Sequence, residues 1–278
     1  MYDTLISIEE LTLHPENPDW VIVDCRFDLS DKEAGYREYR KGHIPGAVYA
    51  DLEEDLSDMS REKAGRHPLP PPDAMEVLFS RLGINTGNQV IVYDTASGAF
   101  AARLWWMLRF MGHRSVAVLD GGWQRWIGTG QEIQTTENTN PPGQFRGEPE
   151  FGWLVASSEV LQAERLIDSR EPARYQGENE PVDPIAGHIP GALNYFWKNN
   201  LDEDGCFLPA SEIRAKLLEK YGGTAPDKVV FYCGSGVTAC HNLLAATYAG
   251  LQPPRLYAGS WSEWCTVPER PVAIGGEG

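Results

Sequence analysis

The hexapeptide Gly42-His43-Ile44-Pro45-Gly46-Ala47 returns unchanged as Gly187-His188-Ile189-Pro190-Gly191-Ala192, 145 positions later. Its neighbours return in the same order. Val21-Ile22-Val23-Asp24 precedes the first copy and Leu166-Ile167-Asp168 the second. Downstream, Gln89-Val90-Ile91-Val92-Tyr93-Asp94 is answered by Lys228-Val229-Val230-Phe231-Tyr232-Cys233, and Asp120-Gly121-Gly122-Trp123 by Ala258-Gly259-Ser260-Trp261. A chain of 278 residues that repeats itself in register folds as two copies of one domain. The expected division is an N-terminal domain over 1–130, a linker over 131–150 and a C-terminal domain over 151–278. The linker is polar and rich in glycine and proline, as in Thr135-Thr136-Glu137-Asn138-Thr139-Asn140-Pro141-Pro142.

Within each copy short β-branched runs alternate with helical stretches. Val21–Asp24, Val90–Tyr93 and Val116–Leu119 read as buried strands, and Asp73–Leu82 and Phe100–Met111 as helices. This alternation predicts an α/β fold, each domain a mainly parallel central sheet with helices on both faces. In such sheets the functional site lies beyond the carboxyl ends of the strands.

One strand end carries a nucleophile. Val229-Val230-Phe231-Tyr232 runs into Cys233, the loop Gly234-Ser235-Gly236-Val237-Thr238 follows, and a helix-forming run over Ala239–Ala249 begins at once. A strand that stops at a thiol and turns into a helix surrounds the sulfur with backbone N–H groups, and the helix N-terminus adds partial positive charge. Both favour thiolate. An ordinary cysteine of pKa ~8.5 is only a few per cent ionised at neutral pH, so a lowering of ~2 units makes the anion dominant. Most free cysteines are inert core residues. Such a residue has no need of a tight loop with glycines on both sides of Ser235, so Cys233 is read as catalytic. The first copy has Asp94 at this position, followed by Thr95-Ala96-Ser97-Gly98-Ala99. A carboxylate cannot carry sulfur, so the first copy is expected to serve as scaffold and as one wall of an inter-domain cleft.

Composition removes several classes of function. A hydrophobic content of 42% with 10% aromatics describes a globular chain, and a formal charge of −16 opposes non-specific nucleic-acid binding. Cysteines 25, 206, 233, 240 and 265 form no C-x-x-C pair and no zinc spacing, so neither metal nor cofactor is expected. Met1-Tyr2-Asp3-Thr4-Leu5-Ile6-Ser7 does not read as a secretory signal, and no apolar run reaches the ~18 residues of a bilayer span. A cytoplasmic protein that does not bind membranes is expected.

With these pieces together, the chain from about Ile8 to Pro271 resembles the tandem-domain rhodaneses, the thiosulfate and 3-mercaptopyruvate sulfurtransferases. The resemblance rests on the paired Gly-His-Ile-Pro-Gly-Ala motifs, Arg103-Leu104-Trp105-Trp106-Met107, Asp120-Gly121-Gly122-Trp123, the Cys233 loop and Gly259-Ser260-Trp261-Ser262-Glu263-Trp264. It implies a double displacement in which Cys233 takes sulfur from a small anionic donor and becomes a persulfide, held by the N–H groups of Gly234 to Thr238. A thiophilic acceptor (cyanide, a thiol or thioredoxin) then removes the sulfur.

The resemblance also bears on the donor. Thiosulfate-preferring members place basic residues just after the cysteine, whereas this chain has Gly234 and Ser235, as in the mercaptopyruvate branch. In that branch the serine works with a histidine and an aspartate as a proton relay. Motif matching assigns these roles to Ser235 and His43, with Asp31 as the aspartate. The alternative for His43 is a brace for its turn, since His188 occupies the same motif. Two arginines hold the donor carboxylate in the family. Arg174 matches the first, a guanidinium suited to two parallel hydrogen bonds. Where the second is expected, after Glu180-Pro181, this chain has Val182-Asp183-Pro184. Arg170 is read as a structural partner of the sheet edge, and Phe27 as an aromatic wall of the pocket.

The reading is therefore a 3-mercaptopyruvate sulfurtransferase, with a thiosulfate:cyanide enzyme and a persulfide carrier or binding module acting with a partner protein as alternatives. A Cys-dependent phosphatase is disfavoured, because the position after the five-residue loop is Ala239 and not the arginine that grips phosphate in those enzymes.

Overall fold

Strands flanked by helices must hide both faces, and the central strands here are built on apolar runs such as Val90–Tyr93 and Val229–Tyr232. In the computed structural model, which describes residues 1–14 and 17–276, the chain separates into two compact units. The first contains β1 (Leu5–Ile6), α1 (Ile8–Thr12), β2 (Trp20–Asp24), α2 (Ala34–Lys41), β3 (Val48–Tyr49), α3 (Pro72–Arg81), β4 (Gln89–Tyr93), α4 (Ala101–Phe110), β5 (Val116–Leu119) and α5 (Gly122–Gly128). Its strands are all parallel, in the order β1-β5-β4-β2-β3, with Val21 beside Val90 and Ile91 beside Ala117. Every residue of β4 and β5 is buried, as a sheet covered on both faces requires.

The second unit contains β6 (Arg165–Asp168), α6 (Pro172–Gln176), β7 (Leu193–Asn194), α7 (Ala210–Tyr221), β8 (Val229–Tyr232), α8 (Thr238–Tyr248), β9 (Arg255–Leu256) and α9 (Ser260–Trp264). Its order, β7-β6-β8-β9, repeats that of β3-β2-β4-β5, again all parallel. Leu154 makes a single parallel bridge to Leu256, at the edge where the first unit has β1.

The predicted strands and helices fall within one or two residues of the observed ones. Three segments differ from a simple division of the chain, one of them the short stretch 203–206, which groups with the first unit. Residues 131–150, expected as a linker, group with the first unit: Gln134 and His43 exchange backbone hydrogen bonds of 2.9 Å, and Phe145 is fully buried edge-on to Phe79. Residues 59–69, inside the first copy in sequence, group with the second unit.

The repeated hexapeptide has the same structural use in both units. Asp24, at the end of β2, accepts from Arg26 Nε and Nη2, and Arg26 Nη2 also donates to Gly42 O at 2.7 Å. The guanidinium lies over the Trp123 ring at 4.5 Å. In the second unit Asp168, Arg170, Gly187 O (2.6 Å) and Trp261 (4.8 Å) repeat this arrangement. His43 Nδ1 donates to Tyr39 O and His188 Nδ1 to Tyr175 O, each imidazole stacked on the ring of that tyrosine. The two tyrosine hydroxyls in turn donate to Ala47 O and Ala192 O. The motif therefore folds each turn back onto its preceding helix.

Burial pushes the pKa of Asp24 up, and the Arg26 guanidinium opposes it. Removing the guanidinium would strand a buried carboxylate. The substitution Arg26→Met is expected to lower unfolding free energy by about 3–5 kcal/mol, measured by chemical denaturation; a loss below about 1 kcal/mol would show that Asp24 does not depend on the pair.

Candidate active site

β8 delivers Cys233 to the carboxyl edge of the second sheet, and α8 starts five positions later. The residues after β9 clamp that turn. Trp261 N–H donates to Cys233 O (3.0 Å) and Ser262 N–H to Gly234 O (2.9 Å). Cys233 N–H donates to Ser260 Oγ (3.1 Å), whose hydroxyl donates to Tyr257 O (2.9 Å). Ser260 holds this place at φ +56, a left-handed conformation that costs a non-glycine residue roughly 1–2 kcal/mol. Gly236, at φ +74, is the position where glycine is required, because a Cβ there would lie 2.3 Å from Ala258 O.

The first unit contains the same turn built around a different side chain. Trp123 N–H donates to Asp94 O (2.8 Å), as Trp261 does to Cys233 O. The Asp94 carboxylate receives the N–H groups of Ala96, Gly98, Phe100 and Ala101 at 2.7–2.9 Å. This strand-to-helix loop therefore aims its amides at the side chain on the strand end; burial pushes the Asp94 pKa up, and the four N–H bonds oppose that rise.

Ser235 Oγ lies 2.7 Å from His67 Nδ1, both residues being buried. This corrects the sequence assignment of the histidine. His43 has its Nδ1 on Tyr39 O and its Nε2 beside Asn138 Nδ2 at 3.1 Å. A carbonyl can only accept, so Nδ1 carries the proton and Nε2 accepts from Asn138. Both nitrogens are committed, and the residue braces its turn as His188 does. Asp31 is corrected as well: it is exposed and paired with Arg37 at 2.6 Å, and that pairing lowers its pKa. Phe27 is buried edge-on to Phe100 in the first unit.

His67 is held in place by its neighbours. Arg66 N–H donates to Ser262 Oγ (2.9 Å), and Gly65, at φ +93, packs where a Cβ would meet Gly259 O at 2.6 Å. Residues 65–67 are thereby fastened to the same segment that clamps Cys233. The Gly-Arg-His sequence carries no periodicity or known spacing to Cys233, so motif reasoning passed over it.

Arg174 is placed beside the loop by α6. Its Nη2 contacts Glu180 (2.7 Å) and Asp183 (3.0 Å). Asp183 also pairs with Arg66 Nη1 at 2.6 Å. Glu180 accepts from Arg170 Nη1 (3.1 Å) and from the N–H groups of Val182 and Asp183. Burial works against its ionisation, but Arg174 and the Asp183 N–H hold its carboxyl below the ordinary range. Arg170 is committed to Asp168 and Gly187 O, a structural role.

The other cysteines are buried. Cys240 Sγ donates to Gly236 O at 3.3 Å and so supports the loop from below. Burial, then the nearby Asp24, raises the Cys25 thiol far above its ordinary pKa, and burial beside Trp261 and Trp264 raises that of Cys265. No helix among the described residues is long and apolar enough to cross a membrane.

Comparison with known proteins agrees with this construction. The profile of the Rhodanese-like domain matches twice, over residues 7–129 and 153–266. A probable 3-mercaptopyruvate sulfurtransferase of Pseudomonas aeruginosa is 45% identical, covering 98% of both chains. The thiosulfate sulfurtransferase of Rattus norvegicus is 32% identical over all of this chain and 98% of its own. Among solved structures, SseA from Escherichia coli superposes with a TM-score of 0.81 at 33% identity, covering 94% of this chain and all of the other. Two matched domains, relatives spanning nearly the full length and the Cys233 turn lead to one conclusion: the chain belongs to the rhodanese-like domain family and is an enzyme of its two-domain sulfurtransferase type.

Proposed function

We propose that the protein moves sulfane sulfur from 3-mercaptopyruvate to a thiophilic acceptor through a persulfide on Cys233. The observation that carries this reading is the Ser235–His67 contact of 2.7 Å, two residues from the thiol, next to the guanidinium groups of Arg66 and Arg174. The Cys233 thiolate attacks the donor sulfur, forming the S–S bond as the C–S bond breaks. The electron pair of that bond passes to carbon as pyruvate enolate, which takes up one proton to leave as pyruvate. Ser235, backed by His67, is the group that supplies this proton. The amides of Gly234 to Thr238 stabilise the charged sulfur, as the corresponding loop does for Asp94. In the second half-reaction a thiol, thioredoxin or cyanide attacks the outer sulfur, and Cys233 leaves as thiolate.

Charge supports the choice of donor. Arg66, Arg170 and Arg174 are matched by Asp168, Glu180 and Asp183, so the surroundings of the loop carry no net positive charge. That suits a monoanionic carboxylate better than a dianion such as thiosulfate. Five free cysteines are consistent with a reducing, cytoplasmic setting. The net charge of −16 gives no footprint for nucleic acid.

Steady-state sulfur transfer from 3-mercaptopyruvate to cyanide tests the assignment. Cys233→Ala is expected to abolish it, and mass spectrometry of donor-treated wild type should place one added sulfur atom on the Cys233 peptide alone. Wild type that transfers no sulfur, or a persulfide on another cysteine, would overturn the reading. His67→Ala and Ser235→Ala are expected to lower kcat by about 10²-fold or more, the usual yield of a positioned proton donor. His43→Ala should instead lower thermal stability and leave kcat of the folded enzyme near wild type. The opposite pattern would return the relay to His43.

A further inference from the structure

Where the resemblance leads one to expect a second donor-binding arginine, after Glu180-Pro181, the chain has Val182-Asp183-Pro184, yet a second guanidinium is present. A Cβ on Gly234, the residue after the nucleophile, would lie 3.0 Å from Arg66 Nη2, 3.5 Å from Arg174 Nη1 and 3.6 Å from Arg174 Nη2. Two arginines from remote parts of the sequence thus converge on one point of the loop that carries the thiol. Asp183 binds them together, with Oδ1 to Arg66 Nη1 (2.6 Å) and Oδ2 to Arg174 Nη2 (3.0 Å). Its side chain is 3% exposed, and its own position is set by Glu180, which accepts its N–H, and by Trp261 Nε1, which donates to Ile185 O.

We propose that Arg66 is the second arm of the donor-carboxylate site and that Asp183 is the strut that aligns Arg66 with Arg174 and sets the preference for a monoanion. This rests on the mercaptopyruvate reading above and adds a residue to it. The arms are Arg66 Nη2 and Arg174 Nη1, since the bonds to Asp183 and Glu180 are made by Arg66 Nη1 and by Arg174 Nε and Nη2. A planar carboxylate seated between them receives one hydrogen bond from each, the paired geometry for which guanidinium is better suited than ammonium. The strut has an electrostatic consequence. Each carboxylate in the cluster cancels one guanidinium, so a bound monoanion leaves one uncompensated negative charge and a dianion leaves two, which favours the monoanion. Arg66 is rigid enough for this task because its backbone is held by Ser262 and by the close approach of Gly65 to Gly259.

The test combines donor kinetics with calorimetric binding of pyruvate, the carboxylate product, to the full-length enzyme. Arg66→Gln should raise KM for 3-mercaptopyruvate and Kd for pyruvate roughly 10-fold or more, with kcat changed less than about threefold, the signature of lost uniform binding. Arg66→Lys retains the ion pair with Asp183 but not the second arm, so it should raise both constants too, and it serves if the glutamine variant folds poorly. Asp183→Asn removes one negative charge and should raise the ratio of kcat/KM for thiosulfate over 3-mercaptopyruvate by roughly 10-fold. Unchanged KM and Kd in both Arg66 variants would overturn the arm, and an unchanged donor ratio in Asp183→Asn would overturn the strut. If wild type binds pyruvate through Arg66 yet turns over no mercaptopyruvate, the arm stands and the choice of donor fails. If wild type neither binds pyruvate nor turns the donor over, both fail.

Discussion

The pairing of a buried strand-end carboxylate with the arginine two residues on organises both halves of this protein. Asp168 is fully buried, and Arg170 pairs with it in a geometry that also reaches Gly187 O, Glu180 and the face of Trp261. From that anchor the polar network extends outward: Glu180 orders the loop bearing Asp183 and engages Arg174, and Asp183 joins Arg174 to Arg66. The residues beside Cys233 are therefore fixed by the interaction that holds the β6 end, the hexapeptide turn and α9 together. The same tryptophan that stacks on Arg170 donates its backbone N–H to Cys233 O. Fold and site share one set of bonds.

The first unit shows the same scaffold with Asp94 where the second has Cys233. Asp24, Arg26, Gly42 and Trp123 repeat the anchor, and the strand-to-helix loop keeps its inward amides. With Asp94 at the strand end those amides are filled by the chain's own carboxylate, through four N–H bonds. The loop has closed on an internal anion where its counterpart, with the uncharged residues Gly234 and Ser235 after the thiol, is suited to an incoming one. Gly122 and Ser260 express the same difference. They share a positive φ, but Gly122 lies where a Cβ would meet Asp94 O at 2.5 Å, while Ser260 uses its side chain to take the Cys233 N–H.

Much of this was legible in the residues. The repeat announced two domains, the all-apolar runs at Val90–Tyr93 and Val229–Tyr232 announced parallel strands, and the glycines around Ser235 marked the loop. Each of those signals is local, because strand burial, turn conformation and helix initiation are decided within a few residues. Arg174 was found through its motif. His67, Arg66 and Ser260 were not. The hexapeptide drew attention to His43, but a motif present in both copies is better explained by what both copies need, which is a braced turn. Residues 59–69 carry no regular pattern, and their sequence position within the first copy gave no reason to link them with the second unit.

Sequence alone determined the α/β class, the tandem organisation and the strand-to-helix loop that carries Cys233, since these follow from periodicity, repetition and residue chemistry. Only the tertiary structure decided which histidine reaches Ser235 and which second arginine stands beside Gly234. Those pairings join positions 168 residues apart in one case and unite Arg66, Asp183 and Arg174 in the other. The physical reason is that a hydrogen bond of 2.7 Å depends on where two backbones are brought together, and that is set by the packing of whole segments and not by any spacing along the chain.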